Sequence, residues 1–335
     1  MEMSPLPAPL AALAAAQPSV FWPVALAVSL ALLMRGADHF TAAAETVGRA
    51  AGLSAFVVGV VIVAFGTSLP ELVASVLAVV RDAGEIVMGN VLGSNIANLG
   101  LVLGLGAVVA GRLQIHRQLG NVDLPLLAAA TVLAALMAVD GRVVRLEAGL
   151  LVAALAVYVR VCLWDSDDGA LPVPVPGADG ARPGPTRVVR AGVVLVVSGA
   201  VIWLAAEGTV RSVVEIGALF AIPIETIAAT AVAIGTSLPE VAVTLLAARR
   251  GRSEMAVGNI IGSNVFNLLA VAGVAGLIGP LAVPPALVLL ALPTMAGITL
   301  VAVLMLATRD IGRGEGAFLL VTYAWFLLAV TGFAS

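Results

Sequence analysis

The chain has 335 residues, of which 61% are apolar and 11% charged, and its mean hydropathy is +1.12, whereas a soluble domain carries about 25% charged residues. So few charges cannot solvate a water-soluble globule, and the units to count are membrane spans. The net charge of −3, with Arg supplying all 17 basic residues, leaves no footprint for nucleic acid; the single cysteine, Cys162, excludes an intramolecular disulfide and a cysteine metal cluster, and reads as a small apolar filler.

The chain opens on an apolar run, Leu10 to Ala16, preceded by Glu2 and no Arg. That is the wrong charge for a secretory leader, and the segment reads as a short external tail. A helix needs roughly 20 residues to cross about 30 Å of hydrocarbon. Breaking the rest of the chain at charged and Gly/Pro clusters gives ten segments of that order, at 20–40, 54–80, 86–110, 123–140, 144–164, 190–209, 222–248, 255–279, 284–307 and 315–334. Residues 165–189 carry Asp165, Asp167, Asp168 and Asp179 among Pro and Gly, and read as a short link between a first half, 1–164, and a second, 190–335. Loops and span ends after odd-numbered spans hold 13 Arg; the opposite side holds Arg81, Arg142, Arg145 and Arg211. The positive-inside rule then makes the link cytoplasmic and both termini external.

An internal repeat organises these spans. Residues 64–71 read AFGTSLPE and 233–240 read AIGTSLPE; 89–98 read GNVLGSNIAN and 258–267 read GNIIGSNVFN. Both blocks are displaced by the same 169 residues, from 71 to 240 and from 98 to 267, which points to duplication. Each half contains an odd number of spans, so the second copy enters the membrane from the opposite side. The fold class predicted is an all-α membrane protein of ten transmembrane helices in two inverted-topology five-helix repeats, with a binding site near mid-membrane where the repeats meet.

Glu71 and Glu240 lie inside otherwise apolar spans, where an uncompensated charge costs roughly 2.5–3.5 kcal/mol on insertion scales. A protonated, hydrogen-bonded Glu is one answer. Two carboxylates converging on a pseudo-twofold axis, neutralised by one divalent cation, are the other. Pro70 has no amide proton and frees the carbonyl of Gly66, as Pro239 frees that of Gly235. Thr67, Glu71 and Ser75 share one helix face, Thr236, Glu240 and Thr244 repeat it, and Ser68 and Ser237 add hydroxyls one position round. Asn90, Ser94 and Asn98, like Asn259, Ser263 and Asn267, form polar stripes. Gly89 with Gly93, and Gly258 with Gly262, allow close helix approach. For Asn90, Asn95, Asn259 and Asn264 interhelical packing competes with ion contact; for Ser94, Asn98, Ser263 and Asn267, deeper in the span, ion contact is the preferred reading. Oxygen donors of this kind suit Ca²⁺ or Na⁺ and argue against Zn²⁺ or Cu.

Other polar residues carry less. Asp38 and Glu207 also match at 169 residues but sit near span ends, as helix-terminal or gating charges. His39 and His116 are isolated, near loops. Asp165 to Gly169 resembles a fragment of a calcium loop, yet the twelfth position is Pro176 instead of Glu, and a solvated acidic link is the default.

Through GTSLPE (66–71 and 235–240) with GSNIAN and GSNVFN (93–98 and 262–267), the chain resembles the cation/Ca²⁺ antiporter superfamily, particularly its prokaryotic Na⁺/Ca²⁺ exchangers, over nearly its whole length. The resemblance implies that Glu71 and Glu240 hold Ca²⁺ together with the backbone carbonyls of Thr67 and Thr236. It places Na⁺ on those carboxylates and on flanking sites made by Ser68, Ser94, Ser237 and Ser263, with backbone oxygens of Ala64 and Ala233 nearby and Asn98 and Asn267 bordering the centre. Part of the family has Asp at the position of Asn267, and its absence argues against K⁺ co-transport. Proton-coupled relatives usually carry Asn and Ala in place of Thr-Ser-Leu-Pro, which favours Na⁺ as the driving ion, although a buried carboxylate pair also leaves H⁺ coupling open.

The mechanism implied is alternating access, with Ca²⁺ and three Na⁺ competing for one carboxylate pair while the first and sixth spans slide. The expected setting is a prokaryotic cytoplasmic membrane, with lipid as the surroundings, Ca²⁺ and Na⁺ as substrates, no cofactor and no soluble protein partner. A proton-coupled or broad-specificity divalent cation antiporter is the alternative reading and a passive cation channel a weaker one. An intramembrane enzyme is disfavoured, because GTSLPE lacks the Gly that follows a nucleophile-elbow Ser.

Overall fold

The computed structural model describes residues 8–80, 84–117, 119–164, 183–219 and 237–333, and these are mostly helix. A short α1 (Ala8–Ala16) gives the amino-terminal segment a helical form, and α2 (Pro18–Ala50) follows. Pro18 lies in the first turn of α2, where a missing N–H removes no helical bond. At 33 residues and about 1.5 Å per residue, α2 outruns the hydrocarbon layer, so it must tilt or project.

The second predicted span is broken. Its first part, α3, runs over 55–67 and includes a π-helical stretch, Val58–Val63; its second part, α4, is Leu69–Val80. The two are bent by 47° just before Pro70, the kink that a missing amide proton predicts. Then come α5 (85–110), α6 (Asp123–Ala138), α7 (Arg145–Trp164), α8 (Pro185–Leu219), α9 (Leu238–Arg249), α10 (253–278), α11 (287–307) and α12 (Arg313–Phe333). Both α5 and α10 change to a π turn at the last motif asparagine, Asn98–Val102 in one and Asn267–Val271 in the other. Among the described residues six helices are long and apolar enough to cross a membrane, or seven if the bent pair is one span, and Asp123–Ala138 is apolar but shorter. The chain is therefore a multi-pass membrane protein. Most of the predicted span 222–248, and the acidic run Asp165 to Gly169, lie outside the described residues.

The inner and outer helices differ sharply in burial. In α5 and α10, 78% and 89% of the apolar window is covered, against 22% in α2, α8 and α12. Apolar side chains such as Val20, Val24 and Val28 on α2, and Val189, Val193 and Val196 on α8, face outward, as lipid-facing residues do. The central crossing, of α3 over α10, rests on glycine. A Cβ on Gly262 would stand 2.5 Å from the Val60 carbonyl oxygen and 2.7 Å from the Ala64 Cβ, so the backbones meet with no side chain between them. A smaller apolar cluster joins α2 (Leu33, Ala37, Phe40) and α8 (Ile202, Ala205) to Val58 and Val63 of α3 and to Val243 of α9.

Two short antiparallel strand pairs tie the halves together. In the first, β1 (Arg112–Gln114) pairs with β4 (Asp310–Gly312), matching Arg112 with Gly312 and Leu113 with Ile311. In the second, β2 (Arg142–Val143) pairs with β3 (Leu281–Ala282), matching Val143 with Leu281 and Arg142 with Ala282. A shift of 169 residues, the sequence repeat, carries each pairing of one onto a pairing of the other. Arg112 braces the first through Asp310, at 2.7 Å from Nε and 2.5 Å from Nη2. Arg145 serves the second by donating to the Ile278 carbonyl at 2.9 Å. Near β1, the Glu254 carboxylate accepts the His116 and Arg117 amides at 3.0 and 3.2 Å, and Arg117 pairs with the buried Asp123 at 2.9 Å. The α9–α10 turn, made at Gly251 with φ +70°, is fastened to α2 by Arg250 on Asp38 and by Arg252 on Glu45 at 2.8 Å.

Candidate functional site

The two carboxylates have similar local settings. Glu71 falls in the first turn of α4 and Glu240 in the first turn of α9. Unpaired amides and the helix dipole make that end favourable for an anion, which offsets part of the cost of burial. Both side chains are 1% exposed.

The two motifs meet directly. Ser68 Oγ, from the first, donates to Glu240 Oε1, from the second, at 3.1 Å across 172 residues of sequence. Thr67, Ser68, Ser75, Ser94, Asn98, Ser237, Thr244, Ser263 and Asn267 are all buried. Several of their atoms have no hydrogen-bond partner among the described residues: both oxygens of Glu71, Oε2 of Glu240, Oγ of Ser237 and Ser263, Oδ1 of Asn98, and both amide atoms of Asn267. Orphaned buried polar atoms are costly, and the oxygens among these are of the hard kind that Ca²⁺ or Na⁺ takes.

The remaining sequence-selected residues divide as follows. The Ala64 carbonyl already accepts the Ser68 amide at 3.0 Å and the Thr67 hydroxyl at 3.3 Å. Ala233 and Thr236 lie outside the described residues. Asp38 is committed to Arg250 at the edge, and Glu207 lies on α8, partly buried. Asn90 Nδ2 donates to Ser75 Oγ at 3.3 Å, and Asn259 Nδ2 to Thr244 Oγ1 at 2.9 Å, the same link at equivalent places in both repeats. Asn95 Nδ2 reaches Met295 Sδ at 3.8 Å and Asn264 Nδ2 the Ile260 carbonyl at 2.8 Å, so these two face packing partners. One contact is hidden from sequence spacing: Thr67 Oγ1 also donates to Asn259 Oδ1 at 3.4 Å, across 192 residues. The local sequence signals only that Asn259 is polar in an apolar span.

Comparison with known proteins agrees with this arrangement. The sodium/calcium exchanger protein family matches residues 21–164 and 190–332. The sodium/calcium exchanger MaX1 of Methanosarcina acetivorans is 32% identical over 340 residues, covering 91% of this chain and 97% of that protein. A putative antiporter of Alkalimonas amylolytica, CaxA, is 33% identical, covering 88% and 94%. The solved sodium-calcium exchanger NCX_Mj, in crystals soaked without Na⁺ and Ca²⁺, superimposes with a TM-score of 0.79 at 29% identity, covering 92% of this chain and 98% of its own. With two GTSLPE motifs joined across a buried carboxylate pair, and with matches that run through both halves, this chain belongs to the sodium/calcium exchanger family.

Proposed function

We propose that this protein is a secondary antiporter that exchanges Na⁺ for Ca²⁺ by alternating access and extrudes Ca²⁺. The observation that carries the reading is the Ser68–Glu240 hydrogen bond, which joins the two motifs around carboxylate oxygens that have no other described partner. In this reading Glu71 and Glu240 hold Ca²⁺ with the Thr67 and Thr236 carbonyls. Na⁺ takes the same carboxylates and the flanking hydroxyls of Ser68, Ser94, Ser237 and Ser263, near the Ala64 and Ala233 carbonyls, and Asn98 and Asn267 border the centre. Exchange follows from competition, since the pair cannot hold both loads. Loaded with Ca²⁺ the site is neutral; loaded with three Na⁺ it carries one positive charge and feels the membrane potential at about 2.3 kcal/mol per 100 mV. An inward-negative potential then favours Na⁺ entry and Ca²⁺ exit.

The proposal includes ten spans in two inverted five-helix repeats, halves at 1–164 and 190–335, external termini and a cytoplasmic link. Three features support it: the strand pairings that interchange on a 169-residue shift, the π turns at the same displacement, and the paired Asn–hydroxyl links. Cross-chain contacts support it further, because each joins segments that a ten-span count puts on one side: β1 with β4, Arg250 with Asp38, and Arg145 with Ile278.

The test is radiolabelled Ca²⁺ uptake into Na⁺-loaded proteoliposomes. Glu71→Gln and Glu240→Gln are each expected to abolish uptake, and normal exchange in either would refute the site. Imposing Na⁺, K⁺ and H⁺ gradients in turn checks the coupling ion: Ca²⁺ flux that follows H⁺ without Na⁺ replaces Na⁺ as the driver.

A further inference from the structure

Asn259 is fully buried and has both ends of its amide engaged on different helices. Its Nδ2 donates to Thr244 Oγ1 of α9 at 2.9 Å, and its Oδ1 lies 3.4 Å from Thr67 Oγ1 of α3, whose one proton it shares with the Ala64 carbonyl at 3.3 Å. Thr244 belongs to the second repeat and Thr67 to the first, so one side chain bridges the halves beside both carboxylates. Its backbone is fixed as well, for a Cβ on Gly59 of α3 would stand 2.9 Å from the Asn259 amide nitrogen. With the backbones in contact and the amide bonded at each end, Asn259 has little room to turn. Thr67 is the last residue of α3 before the bend. The i to i−4 ladder still reaches across it, the Ser68 amide bonding back to Ala64 and the Leu72 amide to Ser68, while Pro70 has no amide proton to give. A residue at such a bend owes its orientation to whatever holds its side chain.

We infer that Asn259 is a positioning residue for the Thr67 carbonyl: by tying the Thr67 hydroxyl to Thr244 it holds the first-repeat bend at the orientation in which that carbonyl faces the cation. The inference rests on the site proposed above and adds to it a residue that touches no ion. Asn90, the equivalent in the other repeat, keeps the link to Ser75 at 3.3 Å and is only half buried. A general packing role for the whole polar stripe would cost folded protein and leave ion affinities alone. A positioning role moves the affinity for the ion that uses the Thr67 carbonyl, Ca²⁺, more than that for Na⁺, whose flanking sites are hydroxyls.

The experiment measures Na⁺-driven Ca²⁺ uptake in proteoliposomes for Asn259→Ala, Thr244→Val, Thr244→Ser and the double variant Asn259→Ala/Thr244→Val. Losing the link is expected to raise KM for Ca²⁺ about tenfold, as removal of one buried hydrogen bond does, while kcat and half-saturating Na⁺ stay within about twofold. Thr244→Ser keeps the hydroxyl and is expected to keep the low KM, and the double variant to match Asn259→Ala, because both remove one link. Unchanged KM for Ca²⁺ with only less active protein overturns the inference, as does an additive double variant or an equal shift in both ions. Should Asn259→Ala fail to accumulate, the Thr244→Val and Thr244→Ser pair decides alone. Glu240→Gln, measured alongside, separates the two levels. If it abolishes exchange while Thr244→Val behaves as the unmodified protein, only the positioning role falls; if it retains exchange, the site falls too.

Discussion

The two inner helices α5 and α10 and the two outer helices α2 and α8 are held by different forces. Around α10, backbones touch at Gly59, Gly258 and Gly262, and polar side chains bond across helices. Around α2 and α8 there is a small apolar cluster, side chains laid on glycine (Phe40 on Gly66 and Gly199, Ile202 on Gly36, Ser29 on Gly208), and ion pairs at the edge. Close contacts of the first kind lose their energy over a displacement of half an ångström to one ångström. Apolar sliding surfaces and partly exposed ion pairs give it up gradually. In the proposed cycle the inner helices, which carry the motif asparagines, are the fixed frame and the outer pair is the part that moves.

Three variants test that division, in descending order of expected effect. Gly262→Val places a branched side chain where even a Cβ meets the Val60 carbonyl oxygen at 2.5 Å. Backbone must move, at a cost of about 3 kcal/mol or more, and the expected result is loss of folded, monodisperse protein after extraction. Recovery of normal amounts would show that the inner crossing is not rigid. Gly66→Ala acts at the joint between frame and outer helix: its Cβ would come 2.5 Å from Phe40 Cζ, so the ring on α2, a side chain and not backbone, must shift. Folding is expected to survive, with Ca²⁺ turnover reduced about tenfold, as an overpacked contact of 1–3 kcal/mol allows. The third is the double variant Arg250→Gln/Arg252→Gln, which cuts α2 loose at its edge. Because these ion pairs are partly exposed, each contributes about 0.3–1 kcal/mol. Turnover is expected to change by no more than about fivefold, and the change should vanish in concentrated choline chloride, where such pairs are screened. A salt-independent effect of tenfold or more would contradict the edge role.

Much of this division was legible in the sequence. The shared displacement of GTSLPE and of the Gly-Ser-Asn blocks gave the halves, Pro70 gave the bend, and membrane cost singled out Glu71 and Glu240. What escaped was pairing at long range. That Asn259 faces Thr67, 192 residues away, depends on how α3 crosses α10, which no periodicity encodes. The π turns at Asn98 and Asn267 escaped too, since a single wider turn has no composition of its own. The reach of α2 beyond its predicted span, to Ala50, takes in Glu45, whose ion pair with Arg252 rewards helix where hydropathy has already fallen.

The two strand pairs also restrict how this antiporter can work. Each stitches a loop of one half to a loop of the other, β1 to β4 and β2 to β3, and the Arg112–Asp310 brace clamps the first. Two stitches at separate places act on the halves as two bolts act on a pair of plates: one alone permits a pivot, and both together forbid it. A rocking cycle, with one half swinging against the other, would have to unzip a strand pair at every turnover. In the proposed cycle α2 and α8 travel along the bolted frame and break neither, so the smallest structural elements in the molecule are the ones that motion leaves whole.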